Sequence, residues 1–512
     1  MADLVSTRMD ARSLRDLVLD ADSWVSWDSP IGPRDVSEQY AAELSAAQEK
    51  SRQDEAIVTG EGRLRGRRVA VVAGEFGFLA GSIGVATAER LIQAIERATD
   101  EGLPLLAAPV SGGTRMQEGT VAFLQMVGIT QAIARHKEAG LAYLVYLRSP
   151  TFGGVLASWG SLGHVTIAEP GASIGFLGPR VYESLYGEKF PEGVQTAEHL
   201  HERGVIDAVV PHEQLADVAD RALRVLSARS TWHRGAAIAG PVEGDGTDAD
   251  DPEDGRTAWD VVTASRRTDR PGVRRLLRTA ATDVVALNGT GAGEADPGLL
   301  LALARFGGAP CVVLGQDRRG QSLTAPLGPA ALREARRGMR LAAELRLPLV
   351  TLIDTPGAAL SKEAEEGGLA GEIARCLADL VVLKAPTIAV LLGQGTGGGA
   401  LALVPADRVL ATANGWLGPL PPEGASAIVH RDTTHAGEMA AQQGVRATDL
   451  WRAGIVDRVV PERPDAADEP VEFCERLGRV LAEELAGLLG RDDVERMRSR
   501  ASRWRHLGRR AR

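Results

Sequence analysis

The sequence predicts an α/β protein built from two homologous domains in tandem. Three observations carry that reading. Apolar runs of strand length alternate with helical patterning along most of the chain, the alternation of an α/β domain with its loops gathered at one end of the strands. A paired-glycine turn follows an apolar strand in each half: Phe152-Gly153-Gly154-Val155 after Leu141–Leu147, and Gln394-Gly395-Thr396-Gly397-Gly398-Gly399-Ala400 after Thr387–Leu392. The frames around the two turns also repeat. Gly102-Leu103-Pro104-Leu105-Leu106 matches Arg346-Leu347-Pro348-Leu349-Val350 at a separation of 244 residues, and Gly153 matches Gly398 at 245. Gly204-Val205-Ile206-Asp207-Ala208-Val209-Val210-Pro211 matches Gly454-Ile455-Val456-Asp457-Arg458-Val459-Val460-Pro461 at 250. Landmarks in one order at nearly one spacing indicate a duplication.

Taken in order, residues 1–56 carry helical patterning broken at Ser29-Pro30 and read as an N-terminal arm packed on the first domain, which spans 57–235. That domain opens with a hairpin turning at Arg65-Gly66, its second strand buried. The loop Glu75–Gly84 then enters a helix, Ala86 to Thr99. A strand over Leu103–Pro109 leads to the loop Ser111-Gly112-Gly113-Thr114-Arg115-Met116-Gln117-Glu118-Gly119 and a helix through Ala139. Leu141–Leu147, the glycine pair with its helix, and Val165–Ile167 complete the run. Residues 236–256 are rich in Gly, Asp and Glu and almost free of large apolar residues, the composition of a solvated linker.

The second domain, 257–470, resumes with helical patterning interrupted at Arg270-Pro271. Cys311–Leu314 reads as a strand, Pro329–Leu345 as a long helix, and Leu349–Asp354 as the next strand, followed by the loop Thr355-Pro356-Gly357-Ala358. The tail, 471–512, is helical and ends basic; it reads as a solvated or dimer-contact helix.

Bulk composition narrows the function. A length of 512 residues suits two or three domains, and 44% hydrophobic with 25% charged residues is ordinary for a globular chain. The formal net charge of −10 argues against nucleic acid and against a polybasic membrane patch. No apolar run is long enough to span a bilayer and Met1-Ala2-Asp3-Leu4 is no signal peptide, so a cytoplasmic enzyme is expected. Cys311, Cys376 and Cys474 are far apart and read as reduced core residues; the nine histidines show no metal-ligand spacing, so no metal is expected.

No serine or cysteine nucleophile with a histidine base is apparent, and neither Walker nor Rossmann fingerprints follow a suitable strand. A lone glycine turn has two readings, a device that lets a strand and a helix pack closely or a cradle for a developing oxyanion, and taken alone it favours the first. Two of them, each facing a second glycine-rich loop, offer backbone N–H groups uncovered by any Cβ at helix starts whose first amides lack internal partners. That arrangement suits chemistry needing two stabilised oxyanions and no side-chain nucleophile: enolate formation on a thioester with a ureido carbonyl as the second group. Each donor in such a site is worth roughly 2.7–4 kcal/mol.

The motifs also resemble a known family. Ser111–Gly119, Ile167-Ala168-Glu169-Pro170-Gly171-Ala172 and Ile174-Gly175-Phe176-Leu177-Gly178-Pro179-Arg180 resemble the β subunit of the bacterial acetyl-CoA carboxylase carboxyltransferase. Ala258-Trp259-Asp260-Val261-Val262, Arg270-Pro271, Ile353–Ala358, Ala364-Glu365-Glu366 and Pro422-Glu423-Gly424-Ala425-Ser426 resemble its α subunit. The likeness covers about 57–211 and 257–461, as in a natural β/α fusion. It implies two tandem crotonase-like β-β-α superhelix domains and carboxyl transfer from carboxybiotin to an acyl-CoA. By that resemblance Gly153 and Gly154 hold the thioester enolate, with Gly81, Gly112, Gly113 and Arg115 on the acyl-CoA side. Gly398 and Gly399 receive the biotin carbonyl, with Gly357, Ala358 and Gly397 on the biotin side. The ureido nitrogen left after CO₂ release takes the α-proton.

The resemblance further implies a biotin carboxyl carrier protein and a biotin carboxylase as partners, acetyl-CoA or another short acyl-CoA as acceptor, and at least a homodimer. No cofactor is expected to be tightly bound, since carboxybiotin arrives on the carrier. Two departures stand out. No cysteine precedes Cys311, so the four-cysteine zinc module common in the β subunit has no counterpart and no zinc is expected. Where the α subunit has Gly-Ala-Tyr-Pro-Gly, this chain reads Gly357-Ala358-Ala359-Leu360-Ser361. Two alternatives use the same fold, a malonate or acyl-CoA decarboxylase subunit and a catalytically inactive assembly scaffold; Met116–Gly119 and Ala364–Glu366 favour the carboxylase over the decarboxylase.

Overall fold

The computed structural model describes residues 8–31, 36–113, 115–227, 255–322 and 325–505. It divides into two compact units, one running to Ser227 and the other formed by the described residues from Gly255 onward. The linker read at 236–256 lies outside the described residues except at its last two positions.

In the first unit the elements run α1 (Ala11–Val18), β1 (Val25–Ser26), α2 (Glu38–Ser51), β2 (Ile57–Leu64), β3 (Arg67–Gly74), α3 (Val85–Asp100), β4 (Leu105–Ala108), α4 (Gly119–Glu138), β5 (Tyr143–Leu147), β6 (Thr151–Phe152), β7 (Val165–Ala168), β8 (Ile174–Gly175), α5 (Pro179–Tyr186), α6 (Ala197–Glu202), β9 (Ala208–Val209) and α7 (His212–Leu226). Strands β2 and β3 form the expected hairpin, with both turn residues at positive φ, 50° at Arg65 and 82° at Gly66. Such a two-residue turn matches the twist of the flanking strands.

The sheet order is β1-β2-β3-β4-β5-β7-β9, antiparallel up to β3 and parallel from there. Each parallel strand lies beside its predecessor, so the order never reverses. The unit is therefore a β-β-α superhelix rather than a doubly wound sheet with a switch point. All of β4, β5 and β7 is buried, which is why these strands read as continuous apolar runs. The arm contributes more than helices. Its β1 pairs with β2 at the sheet edge, and Ala11, Leu14 and Val18 of α1 are buried.

The second unit repeats the plan. Its elements are α8 (Ala258–Ser265), α9 (Val273–Ala280), β10 (Ala281–Leu287), β11 (Leu299–Phe306), β12 (Ala309–Gln316), α10 (Pro329–Leu345), β13 (Leu349–Thr355), α11 (Lys362–Glu366), α12 (Leu369–Val382), β14 (Thr387–Gly395), α13 (Gly397–Leu401), β15 (Arg408–Thr412), α14 (Pro422–Val429), α15 (Ala436–Gln442), α16 (Ala447–Arg452), β16 (Arg458–Val460), α17 (Pro470–Leu489) and α18 (Asp493–Arg505). The sheet runs β10 to β16 in sequence order, antiparallel to β12 and parallel thereafter. Helix α10 falls at the residues expected, opened by Pro329 at its first turn, where a missing N–H costs nothing.

The tail departs from the expectation of a solvated or dimer-contact helix. Phe473, Cys474, Leu477, Leu481 and Leu485 of α17 lie in the core of the second unit. Arg496 and Arg500 of α18 are 2% exposed and both close on Asp407, at 2.9 and 2.5 Å. Their spacing of four residues puts both guanidinia on one helix face, so the basic composition of α18 serves a buried ion cluster. The last stretch of the basic tail, 506–512, lies outside the described residues. The three cysteines are buried and free.

Candidate active site: amides at two glycine turns

Strand β4 ends in Pro109-Val110-Ser111, and β5 leads through Ser149-Pro150 into β6 and the glycine pair. Ser111 lies parallel to Thr151, which brings the two strand ends side by side. The Ser111 hydroxyl accepts the Gly113 N–H at 3.0 Å and contacts the Gly113 carbonyl at 3.1 Å, folding a tight turn in which Gly113 has φ 124°. Gly153 has φ 64° and donates its N–H to the Phe176 carbonyl at 2.9 Å. A Cβ on Gly153 would sit 3.4 Å from the Gly113 Cα. Both glycines are thus required by backbone conformation. Behind them the Gly112 N–H reaches the Ala80 carbonyl at 2.9 Å. Ala80 and Gly81 both lie at positive φ, and a Cβ on Gly81 would overlap the Val110 carbonyl oxygen. Gly81, Gly112, Gly113, Gly153 and Gly154 are therefore one cluster. The Gly154 N–H has no acceptor among the described residues.

Arg115, expected on the acyl-CoA side, is fully buried. Its guanidinium donates to Glu55 at 2.5 and 3.1 Å, to the Ser82 carbonyl at 2.8 Å and to Thr87 at 3.2 Å. A buried guanidinium can be sustained only by such pairing, so Arg115 braces the loop from beneath and presents no charge to solvent. Tyr40 of α2 joins the brace through Glu118 at 2.5 Å. Burial and then that carboxylate push the Tyr40 phenol up to about 12.

The second unit builds the same turn from different residues. Thr355 replaces Ser111: its hydroxyl accepts the Gly357 N–H at 3.1 Å and contacts the Gly357 carbonyl at 3.0 Å, and Gly357 has φ 136°. Gly397 has φ 61° and donates to the Gly418 carbonyl at 2.9 Å. Conformation and bonding therefore pair Gly113 with Gly357 and Gly153 with Gly397, each 244 residues apart, the spacing of the flanking prolines. The sequence comparison set Gly153 against Gly398, one residue later, because a run of three glycines leaves the register open. Gly154 then corresponds to Gly398.

Thr396 occupies the cap position of α13 but makes no capping hydrogen bond. The N–H groups of Gly398 and Gly399 consequently have no acceptor among the described residues, nor has that of Ala358. A Cβ on Gly399 would lie 3.3 Å from the Ala358 nitrogen, so the loop amide and the helix amides share one small space. Ala359, at the family's tyrosine position, is buried with its N–H on the Leu327 carbonyl; Leu360, at the proline position, is 95% exposed.

Charged groups underlie this turn without entering it. Burial raises the Asp354 carboxyl, while Arg318 and the Gln394 N–H oppose that rise. Arg270 of the Arg-Pro motif forms a bidentate pair with Glu462 at 2.6 and 2.9 Å. Burial alone would raise Glu462, but Arg270 with the Ala466 and Asn414 amides overcomes it and holds the carboxyl down to about 2. Among the described residues no histidine, cysteine and acid cluster suits a metal ion, and no helix is long and apolar enough to cross a membrane. Sequence reasoning missed Gln316 and Asp354. Both are polar residues closing apolar strands, and that position was the one available sign of their role.

Comparison with known proteins settles the family, since the carboxyl transferase domain matches residues 7–489. This chain belongs to the carboxyl transferase family of the biotin-dependent acyl-CoA carboxylases. A probable biotin-dependent acyl-coenzyme A carboxylase beta3 subunit of Mycobacterium tuberculosis is 60% identical over 502 residues, covering 98% of this chain and 99% of the relative. The acetyl-coenzyme A carboxylase carboxyl transferase subunits beta/alpha of Saccharopolyspora erythraea are 36% identical over 495 residues, 94% of this chain and 84% of the relative. Among solved structures, the transcarboxylase 12S hexamer crystallised with hydrolysed methylmalonyl-coenzyme A superposes with a TM-score of 0.74 at 21% identity, covering 93% of this chain and 89% of that one. A single-chain long-chain acyl-CoA carboxylase gives 0.69 at 19%, over 94% and 46%. At 21% and 19% identity these two likenesses show the fold alone, that of tandem crotonase-like units.

Proposed function

We propose that this protein moves the carboxyl group of carboxybiotin, carried on a biotin carboxyl carrier protein, to acetyl-CoA or another short acyl-CoA, giving malonyl-CoA or its homologue for fatty-acid synthesis. The observation that carries the reading is the set of unpartnered amides at equivalent turns, Gly154 in one unit and Ala358, Gly398 and Gly399 in the other. The Gly153–Gly154 turn holds the thioester oxygen as it becomes an enolate oxygen, so the α-carbon can lose its proton. The Ala358 and Gly398–Gly399 amides polarise the ureido carbonyl and favour breaking of the N–CO₂ bond. Carboxybiotin supplies CO₂ and, after its release, a basic nitrogen for the α-proton. The α-carbon then bonds to CO₂. Backbone donors lose no reorganisation energy during these steps, and each is worth roughly 2.7–4 kcal/mol.

In this reading a biotin carboxylase and the carrier protein are partners in the cytoplasm. A homodimer or larger assembly of this chain belongs to the same reading. The test is malonyl-CoA-dependent carboxylation of free biotin or biocytin by the purified protein. Transfer is expected; no transfer from malonyl- or methylmalonyl-CoA would remove the reading. Acetyl-, propionyl- and butyryl-CoA, compared in a reconstituted complex, rank the acceptors. The bare Leu360 after the Gly357 turn supports a second reading, a non-catalytic scaffold. Co-purification of both partners without turnover would favour it.

A further inference from the structure

We propose that Gln316 is the positioning residue of the biotin side: its carboxamide sets the spacing between the Ala358 amide and the Gly398–Gly399 amides. The inference rests on the carboxyl-transfer reading and names how that site is held.

Gln316 is the last residue of β12 and is fully buried. Its Nε2 donates to the Gly399 carbonyl at 2.7 Å, and its Oε1 accepts the Asp354 N–H at 3.1 Å. Neither main-chain group has another place to go. The Asp354 N–H faces β12, and the β12–β13 ladder ends at the Gly315–Leu352 pair, just short of it. Helix α13 ends at Leu401, and the Leu403 N–H turns back to Ala400, so no helical amide reaches the Gly399 carbonyl. Buried main-chain groups must find partners, and one side chain serves both. The two groups belong to the two elements that present the site amides: Asp354 lies at the end of β13, which runs into the loop to Ala358, and Gly399 is in the helix.

The rest of that loop is fixed from Asp354 and Gln321. The Asp354 carboxylate accepts the Gln394 N–H at 3.1 Å. Gln321 donates to the Asp354 carbonyl at 3.2 Å and contacts the Thr355 hydroxyl at 2.7 Å, the hydroxyl on which Gly357 turns. These contacts shape the loop, and within this cluster it is Gln316 that joins the loop to the glycine helix. The first unit is braced differently. By strand register Gly74 stands at the Gln316 position, and the buried Arg148 instead closes on the Gly74 and Ala108 carbonyls at the strand ends. The tie is therefore specific to the turn assigned to the ureido carbonyl.

The test uses the full-length protein in the malonyl-CoA to biocytin assay, with Gln316→Met (similar length, no hydrogen bonds) and Gln316→Glu (acceptor kept, donor to Gly399 lost). Misplacing a reacting group by about 1 Å can cost about a hundredfold in rate. Both variants are expected to lose about tenfold or more in kcat, with the KM for malonyl-CoA within about twofold of the parent's. A merely structural role would loosen the protein without confining the loss to the biotin side. Parent-like kcat in Gln316→Met, or an equal loss of malonyl-CoA affinity in both variants, overturns the proposal. If Gln316→Met gives no cooperative melting transition, Gln316→Glu is judged by the same criteria; if neither folds, Gln316 is a folding residue and the proposal is overturned. A parent protein that transfers nothing would remove the carboxyl-transfer reading itself, before any variant is compared.

Discussion

At Gly153 the backbone sits at φ 64°, so an alanine there must adopt a left-handed conformation even though its methyl would make only ordinary contacts, with the Gly113 Cα at 3.4 Å and the Phe176 carbonyl oxygen at 3.9 Å. Gly153→Ala is expected to cost about 1 kcal/mol in folding stability, read by urea unfolding. No measurable change would mean that this turn relaxes easily and is not held by its neighbours. A second residue-scale expectation concerns acid. Glu462 is held at about 2 against an ordinary value of 4.5, so its pairing stabilises the fold above pH 4.5 and that contribution fades as pH falls toward 2. The shift corresponds to about 3 kcal/mol. Urea unfolding across that window should show a shallower pH dependence in Glu462→Gln than in the parent; identical slopes would place the acid sensitivity elsewhere. Residues of this kind were only partly legible. Glycines required by positive φ stand out in the sequence, whereas Arg115 in a polar loop gives no sign that Glu55, 60 residues earlier, takes its charge out of solvent.

Among elements, the strands and the long helices were the readable part. Fully buried strands write themselves as apolar runs, and Pro329 marks the start of α10. The two-residue edge strand Val25–Ser26 is too short to carry a pattern, and its pairing is decided by β2. Helix α18 is the clearest departure. Its arginines look solvated in sequence because their acid, Asp407, lies about ninety residues away between β14 and β15. Removing one member of a buried ion cluster leaves the others uncompensated, at a cost of about 3–5 kcal/mol. Asp407→Ala should therefore lower the melting transition in calorimetry. A variant that melts like the parent would show that α18 is held by its apolar contacts instead.

For the whole molecule, duplication explains why so much could be read. Two copies of one superhelix carry their turns at matching registers, and that recurrence is what singles the glycine turns out in the sequence. What the repeat could not supply is where the copies differ. Thr355 for Ser111 preserves the turn, while Gln316 against Gly74 alters how it is braced, and Ala359-Leu360 alters what surrounds it. Such differences depend on contacts between distant segments and have no local signature.

In the proposed mechanism backbone amides, not a reactive side chain, perform the transfer. The most direct measurement is kcat for malonyl-CoA-dependent carboxylation of biocytin by Gly398→Val beside the parent. A Cβ at Gly398 meets only the flexible end of Ile373, at 2.7 Å, so the variant should fold and melt as the parent does. Its branched side chain would cover the helix amides, and kcat should fall by about a hundredfold or more. Turnover equal to the parent's in a folded Gly398→Val protein would contradict the account.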